Sequence, residues 1–457
     1  MILNRVNLLK YCILFIFVGI SIFCAYNHEF WADEIQAYLI AKNESYTNII
    51  TNIGHQEAQP VLWHLILKIA TDISGLSVNV LFISIFFMTI TIWLILFKIN
   101  IPLIFKILIP FGYSFIYQYN IISRNYCLAY LALTLVALLY ENRHIYIWRY
   151  AFSLLFLSYT TSFYTPTAAI LGIFWFIESK FNKKYIPQLI MLLIGAILLI
   201  WQTFPISSVL LNARISSHPS FYSILGFIFF NKYALFNIFI LGWLAYILYH
   251  EVINKIKQNK LNRLFLILCI WCSYFAIFIF SSAKTHHENL TFGLLLFNLY
   301  IMPASWSKKA YKFFIFILIL HIYWGYCSIL HDIKTDISSA KSVYLFLKKN
   351  ELLNKKIHMV GYQTLPLFEF IEKSQTTLNE NDSIYATWNK DDPNVFNNYA
   401  KRITPLHNIL ILDVIAYEHH FINKQEFSNF EIYSFNNSMP NKDGLGYDQS
   451  LFMLIKR

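Results

Sequence analysis

Charge is scarce in this sequence: only 13% of its 457 residues are Asp, Glu, Lys or Arg. A soluble domain averages about 25%, and 57% of this chain is hydrophobic, so an ordinary soluble enzyme is excluded. Cysteine is also sparse. Cys12, Cys24, Cys127, Cys269, Cys272 and Cys327 all sit in apolar stretches, and the chain after residue 332 has none. That excludes a disulfide or zinc framework. Cys269 and Cys272 have CxxC spacing, but within LILCIWCSYF they read as helix packing. There is no glycine-rich nucleotide loop, no internal repeat and no low-complexity linker. No basic tract resembles a nucleic-acid site, so the net charge of +11 points to loops beside a membrane.

What the chain does have is apolar runs of membrane-spanning length, recurring from Tyr11 to Leu330 and then stopping. About eleven spans are expected, near 8–27, 76–97, 101–119, 126–140, 150–163, 164–178, 186–203, 227–249, 264–282, 289–305 and 311–330. The first lacks a small-residue cleavage site and reads as a helix rather than a signal. With the N-terminus placed in the cytoplasm, Arg5, Lys98, Arg143, Lys183, Arg263 and Lys308 fall on the inner side, as the positive-inside rule requires. Asp33, Arg124, Lys284 and the tail then face outward. The expected organisation is a transmembrane part over 1–332, with an outer loop at 28–75, and an outer-face α/β or α+β domain over 333–457. Within that tail, a helix is expected over Asp332–Lys349 and strands at Lys356–Tyr362, Asn408–Asp413 and Ser450–Ile455.

The polar residues at the outer face are the candidates for chemistry. Asp33 and Glu34 follow the first apolar run, in WADEIQAY. A carboxylate there can take a proton from a hydroxyl, and the competing reading is a helix cap beside water. His55, Glu57 and Gln59, in GHQEAQP, precede His64 in the apolar VLWHLIL. They can orient an acceptor or simply cap helices, and their spacing matches no standard metal motif. Arg124 lies at a turn between apolar runs. Its guanidinium fork suits a phosphate, while an interfacial arginine that only snorkels is the plainer alternative. Lys284, His286 and His287, in AKTHHEN, are cations placed to stabilise a departing phosphate or to hydrate a loop. Carboxylates beside phosphate invite a divalent cation, Mg or Mn, with the metal ligands left open.

The order of these motifs resembles the membrane-embedded GT-C type glycosyltransferases, and within them the bacterial dolichyl-phosphate-mannose–protein mannosyltransferase-like group. The resemblance rests on Asp33-Glu34 after the first span, on His55 through Pro60 leading to Leu62-Trp63, on Arg124-Asn125-Tyr126 and loosely on Lys284–His287. It covers about residues 8–330. The sequence departs from the pattern at HQEAQP, where a simpler His-Pro arrangement is usual, and this puts the role of Glu57 in doubt. The resemblance implies an all-α polytopic GT-C-like fold and an inverting transferase acting at the outer face of a bacterial inner membrane. Its donor would be a polyprenyl-phosphate-linked sugar, and its acceptor a lipid, glycan or protein. Asp33, with Glu34, would be the catalytic carboxylate. Arg124, Lys284, His286 and His287 would face the donor phosphate, and His55, Glu57, Gln59 and His64 would shape the acceptor side. The alternatives are a lipid or glycan transporter or flippase, which would place charge near the bilayer midplane, and an O-antigen polymerase- or ligase-like assembly protein.

Overall fold

A computed structural model describes residues 5–57, 59–74, 79–204, 266–274, 288–301, 308–334, 338–371, 376–377, 408–414, 417, 429–435 and 450–456. The helices that position the site are α1 (Arg5–Asn27), α2 (Ala32–Asn43), α3 (Leu62–Ser74), α4 (Asn79–Phe97), α5 (Tyr126–Tyr140), α6 (Ile147–Thr160), α7 (Thr165–Glu178) and α8 (Ile186–Thr203). After them come α9 (Glu288–Ile301), α10 (Lys308–Lys334) and α11 (Ala340–Lys349). The tail carries five strands, β1 (Ile357–Val360), β2 (Thr376–Thr377), β3 (Ile409–Asp413), β4 (Phe430–Phe435) and β5 (Leu451–Lys456).

Among the described residues, three helices are long and apolar enough to cross a membrane: Arg5–Asn27, Lys183–Thr203 and Tyr311–Lys334. Several of the other apolar runs fall short for identifiable reasons. The run at 101–119 breaks into a six-residue helix at Leu103–Leu108, a 3₁₀ turn at Ile109–Phe111 and a π turn at Ser114–Gln118. Pro102, Pro110 and Gly112 interrupt it, because proline withholds the amide that a continuous helix needs. Helix α5 has 15 residues, which is about 22 Å at 1.5 Å per residue, against a hydrocarbon core of about 30 Å. Twelve of those 15 are buried, so its apolar surface is used on neighbouring helices. Helices α6 and α7 have 14 residues each. The expected span 227–249 lies outside the described residues, as does most of 264–282.

This overturns the eleven-span, GT-C-like polytopic architecture and what was built on it. The resemblance to the mannosyltransferase-like group is not upheld. A membrane-embedded transfer of sugar from a polyprenyl-phosphate donor loses its scaffold, and so do the transporter, flippase and polymerase or ligase alternatives. The same holds for the multi-pass inner-membrane placement, with a cytoplasmic N-terminus and a periplasmic tail. Composition misled because a helix buried inside a protein and a helix buried in lipid are equally apolar.

Helix α1 shows both uses at once. Ile13, Phe17, Ser21, Cys24 and Ala25 face the protein, while Phe15, Ile16 and Phe23 on its other side are exposed. Helix α10 packs against the broken 101–119 run. A Cβ on Gly325 would lie 2.9 Å from Ile116 and 3.2 Å from the Tyr113 backbone, so only glycine permits that approach.

The expected tail strands lie at β1, β3 and β5, and the expected helix divides between the end of α10 and α11. The sheet order is β2-β1-β3-β5-β4. Strands β2, β1 and β3 are parallel, and β5 runs antiparallel to both β3 and β4. Every residue of β1 and β3 is buried, as expected for parallel strands covered on both faces. Helix α11 buries Ala340, Val343 and Leu347, a spacing that puts them on one helical face.

Candidate functional site

Residues 28–34, His-Glu-Phe-Trp-Ala-Asp-Glu, join the end of α1 to the start of α2 and meet the tail. Glu34 is fully buried. Its Oε2 accepts from the Trp31 amide at 2.9 Å and lies 3.0 Å from His28 Nε2, while its Oε1 accepts from the Ser123 amide at 2.5 Å. It therefore caps the open N-terminus of α2 and ties the 120s turn to it. On its other side His28 meets Asp332, near the end of α10, with Nδ1 to Oδ2 at 2.9 Å. Burial alone would depress the His28 pKa. The carboxylates of Asp332 and Glu34 outweigh it and hold that pKa well above the ordinary 6.5. His28 is thus a buried imidazolium between two carboxylates.

Two further groups of this segment bind the tail. Glu29 Oε1 accepts from the Ser338 hydroxyl at 2.8 Å and the Lys341 amide at 3.4 Å, and its Oε2 from the Ser338 amide at 3.4 Å. It supplies the negative charge that the N-terminus of α11 favours. In return, tail residue Glu369 accepts from the Phe30 amide at 3.4 Å. Glu369 keeps part of its surface exposed. Burial of its carboxyl is the largest influence on its pKa, which is pushed up to about 7 against the opposing pull of the Phe30 amide and His28.

Asp33 has a different setting. One helical step turns it away from Glu34, and its side chain, like that of Arg124, is 22% exposed. Asp33 Oδ2 pairs with Arg124 Nη1 at 2.6 Å, and Asp33 Oδ1 accepts from the Tyr362 hydroxyl at 2.6 Å. The guanidinium lies over the rings of Trp31 and Tyr126, with centroids 5.4 and 5.2 Å away, in reach of cation–π attraction. Burial works against the Arg124 charge, but Asp33 and the neighbouring groups raise its pKa above the ordinary value, so it stays a cation. Burial, and then Asp33, push the Tyr362 hydroxyl well above a normal phenol, with Glu57 adding to the negative field. Tyr362 therefore remains a donor. The outcome is a partly exposed carboxylate held between a permanent cation and a neutral hydroxyl.

The other sequence-derived candidates are distributed around this centre. Gln36 Nε2 donates to Glu57 Oε1 at 3.5 Å. His55 is drawn toward α8, with Nδ1 2.6 Å from the Phe204 carbonyl and its ring edge-on to Trp201. Gln59 accepts from the Ser162 amide at 3.3 Å. His64 is buried in α3, where burial lowers its pKa to about 4 and keeps it neutral. Lys284, His286 and His287 lie outside the described residues. Among the described residues, no three His, Cys, Asp or Glu side chains are arranged to hold a metal ion, and Asp33 and Glu34 are committed to different partners.

Sequence reasoning missed Tyr362, Trp31 and Tyr126 as members of the site. The two rings had a signal, because each lies two residues from a candidate, Asp33 or Arg124. Tyr362 had none, since 329 positions separate it from Asp33. No family model, no curated protein and no solved structure matches this chain.

Proposed function

We propose that the chain is an enzyme that takes a phosphate-bearing lipid at Arg124 and uses Asp33 to accept a proton from a hydroxyl of its substrate. The observation that carries this reading is the Asp33–Arg124 pair, 2.6 Å long, with each side chain 22% exposed although the pairing Nη1 is itself buried. A guanidinium offers five N–H donors in a planar fork, so an incoming phosphate can replace Asp33 Oδ2 there. Asp33 is then freed on that side while Tyr362 still holds Oδ1. A carboxylate oriented in this way is a competent general base. The three helices with membrane-crossing length and composition favour a lipid over a free metabolite, since they would bring the site to where lipids are.

A second reading, a purely structural ion pair, is favoured by the fact that both Asp33 oxygens are already occupied. One experiment separates the two. The purified chain in nanodiscs is titrated with short-chain phosphatidic acid and, in parallel, with inorganic phosphate. Exchange of a charged hydrogen bond is worth about 1.5–3 kcal/mol, so Arg124→Gln is expected to weaken phosphatidic acid binding by roughly ten- to a hundredfold. Equal binding by the wild type and this variant refutes the proposal. Turnover is then sought by mass spectrometry of phosphate-bearing lipids incubated with the wild type and with Asp33→Asn, and only the wild type is expected to convert one.

A further inference from the structure

We propose that Tyr362 is the positioning residue for Asp33, set in place by a turn that Asp413 locks at the carboxyl end of the tail sheet. The inference rests on the reading of Asp33 as the proton acceptor and adds the tail to the site.

The turn lies where the sheet changes direction. From β1 the chain goes to β2 on one side and then to β3 on the other. The carboxyl ends of β1 and β3 therefore flank the switch point, the place where open α/β sheets gather their ligands. Val360 pairs with Leu412 in register, so the next residues, Gly361 and Asp413, stand side by side. Gly361 has φ +111, and a Cβ built on it would lie 2.1 Å from the Asp413 carboxyl carbon. Only glycine tolerates both that backbone and that contact. Asp413 is fully buried and accepts from the Gln363 amide at 3.5 Å, while the Thr364 hydroxyl donates to the Gly361 carbonyl at 2.7 Å. Tyr362 lies between these anchors, and its hydroxyl reaches Asp33.

The consequence for the site is specific. When a phosphate takes Arg124, the Tyr362 hydroxyl is the described hydrogen bond that keeps Asp33 from rotating after its lost partner. It also favours the ionised carboxylate, since a donor to the charged form stabilises that form. Tyr362 touches Asp33 and acts through it.

The test begins with a readout that needs no substrate. In protein labelled with ¹³C at aspartate carboxyls, the infrared carboxylate band missing from Asp33→Asn belongs to residue 33. Tyr362→Phe removes one oxygen from a half-buried ring, and that band is expected to shift. Replacing Tyr362 by 3,5-difluorotyrosine, a stronger donor of the same shape, is expected to shift it in the opposite direction. Gly361→Ala, which displaces the turn, should act like Tyr362→Phe. In turnover, Tyr362→Phe is expected to lower kcat about tenfold and change KM less than twofold. An unmoved band in both folded Tyr362 variants overturns the positioning role, whatever the lipid data show. A band that moves, in a protein that binds no phosphatidic acid, keeps the positioning role and removes the substrate reading instead.

Discussion

Asp33 and Glu34 are neighbours in the chain and belong to opposite kinds of region. Glu34 lies in a dry hub with His28 and Asp332, where every described contact is a short bond to a fixed partner. Asp33 lies one residue earlier in a half-buried corner, 22% exposed and paired with Arg124 and Tyr362. The amino-acid pair is chemically almost redundant. The difference between scaffold and site comes from the 100° that separates consecutive helical residues, which turns one carboxylate inward and the other toward solvent. An acidic pair beside an apolar helix thus need not be a catalytic pair.

The sharpest way to break this contrast is to remove each acid in turn. Glu34→Ala strips the hub of a buried ion-pair partner and leaves the Trp31 and Ser123 amides without their acceptor. Losing one member of a buried pair costs about 3–5 kcal/mol, so thermal melting in detergent should show a protein unfolded or severely destabilised. Gly361→Ala is expected next in size. A non-glycine residue at φ +111, pressed against Asp413, costs on the order of 1–3 kcal/mol, and limited proteolysis should show the tail opening first.

Proton linkage sharpens the comparison from the hub's side. The His28 pKa is raised in the folded protein, so its contribution is complete below the unfolded value of about 6.5 and is lost as pH rises through the folded pKa. Glu369, raised from 4.5 to about 7, has the same sign. Its contribution is complete below about 4.5 and falls away as pH passes 7. Melting temperature should therefore decline from mildly acid to alkaline pH, and His28→Gln should flatten the alkaline part of the curve. The smallest expected effect on stability belongs to Asp33→Asn. This pair is half-buried rather than fully enclosed, and Asn keeps the side-chain shape, so its melting curve should move less than that of Glu34→Ala while turnover disappears. A large stability loss in that variant would erase the distinction between the two regions.

The sequence made parts of this legible and hid others for physical reasons. The strands at β1, β3 and β5 could be read because short β-branched and aliphatic runs between polar turns have few other fates. Asp33 and Arg124 could be singled out because charge beside apolar sequence is costly. The helix count could not be read. Tyr126–Tyr140 is as apolar as a lipid-facing helix, and only its 15-residue length and its neighbours reveal its burial. Glu29 gave no sign of capping a tail helix, nor Tyr362 of reaching Asp33. Both contacts depend on how distant segments dock, and no local pattern encodes that.

The Glu29 contact with Ser338 spans 309 positions, and this has a consequence for how the chain is made. During synthesis the carboxylate emerges long before the helix it caps, and until then Glu29 and the Phe30 amide must rely on water. Closing so large a loop is slow compared with forming local contacts. The 28–34 segment therefore serves as a waiting berth for the tail, and a newly made chain cannot assemble its Asp33 corner until the last quarter of the sequence has arrived and docked.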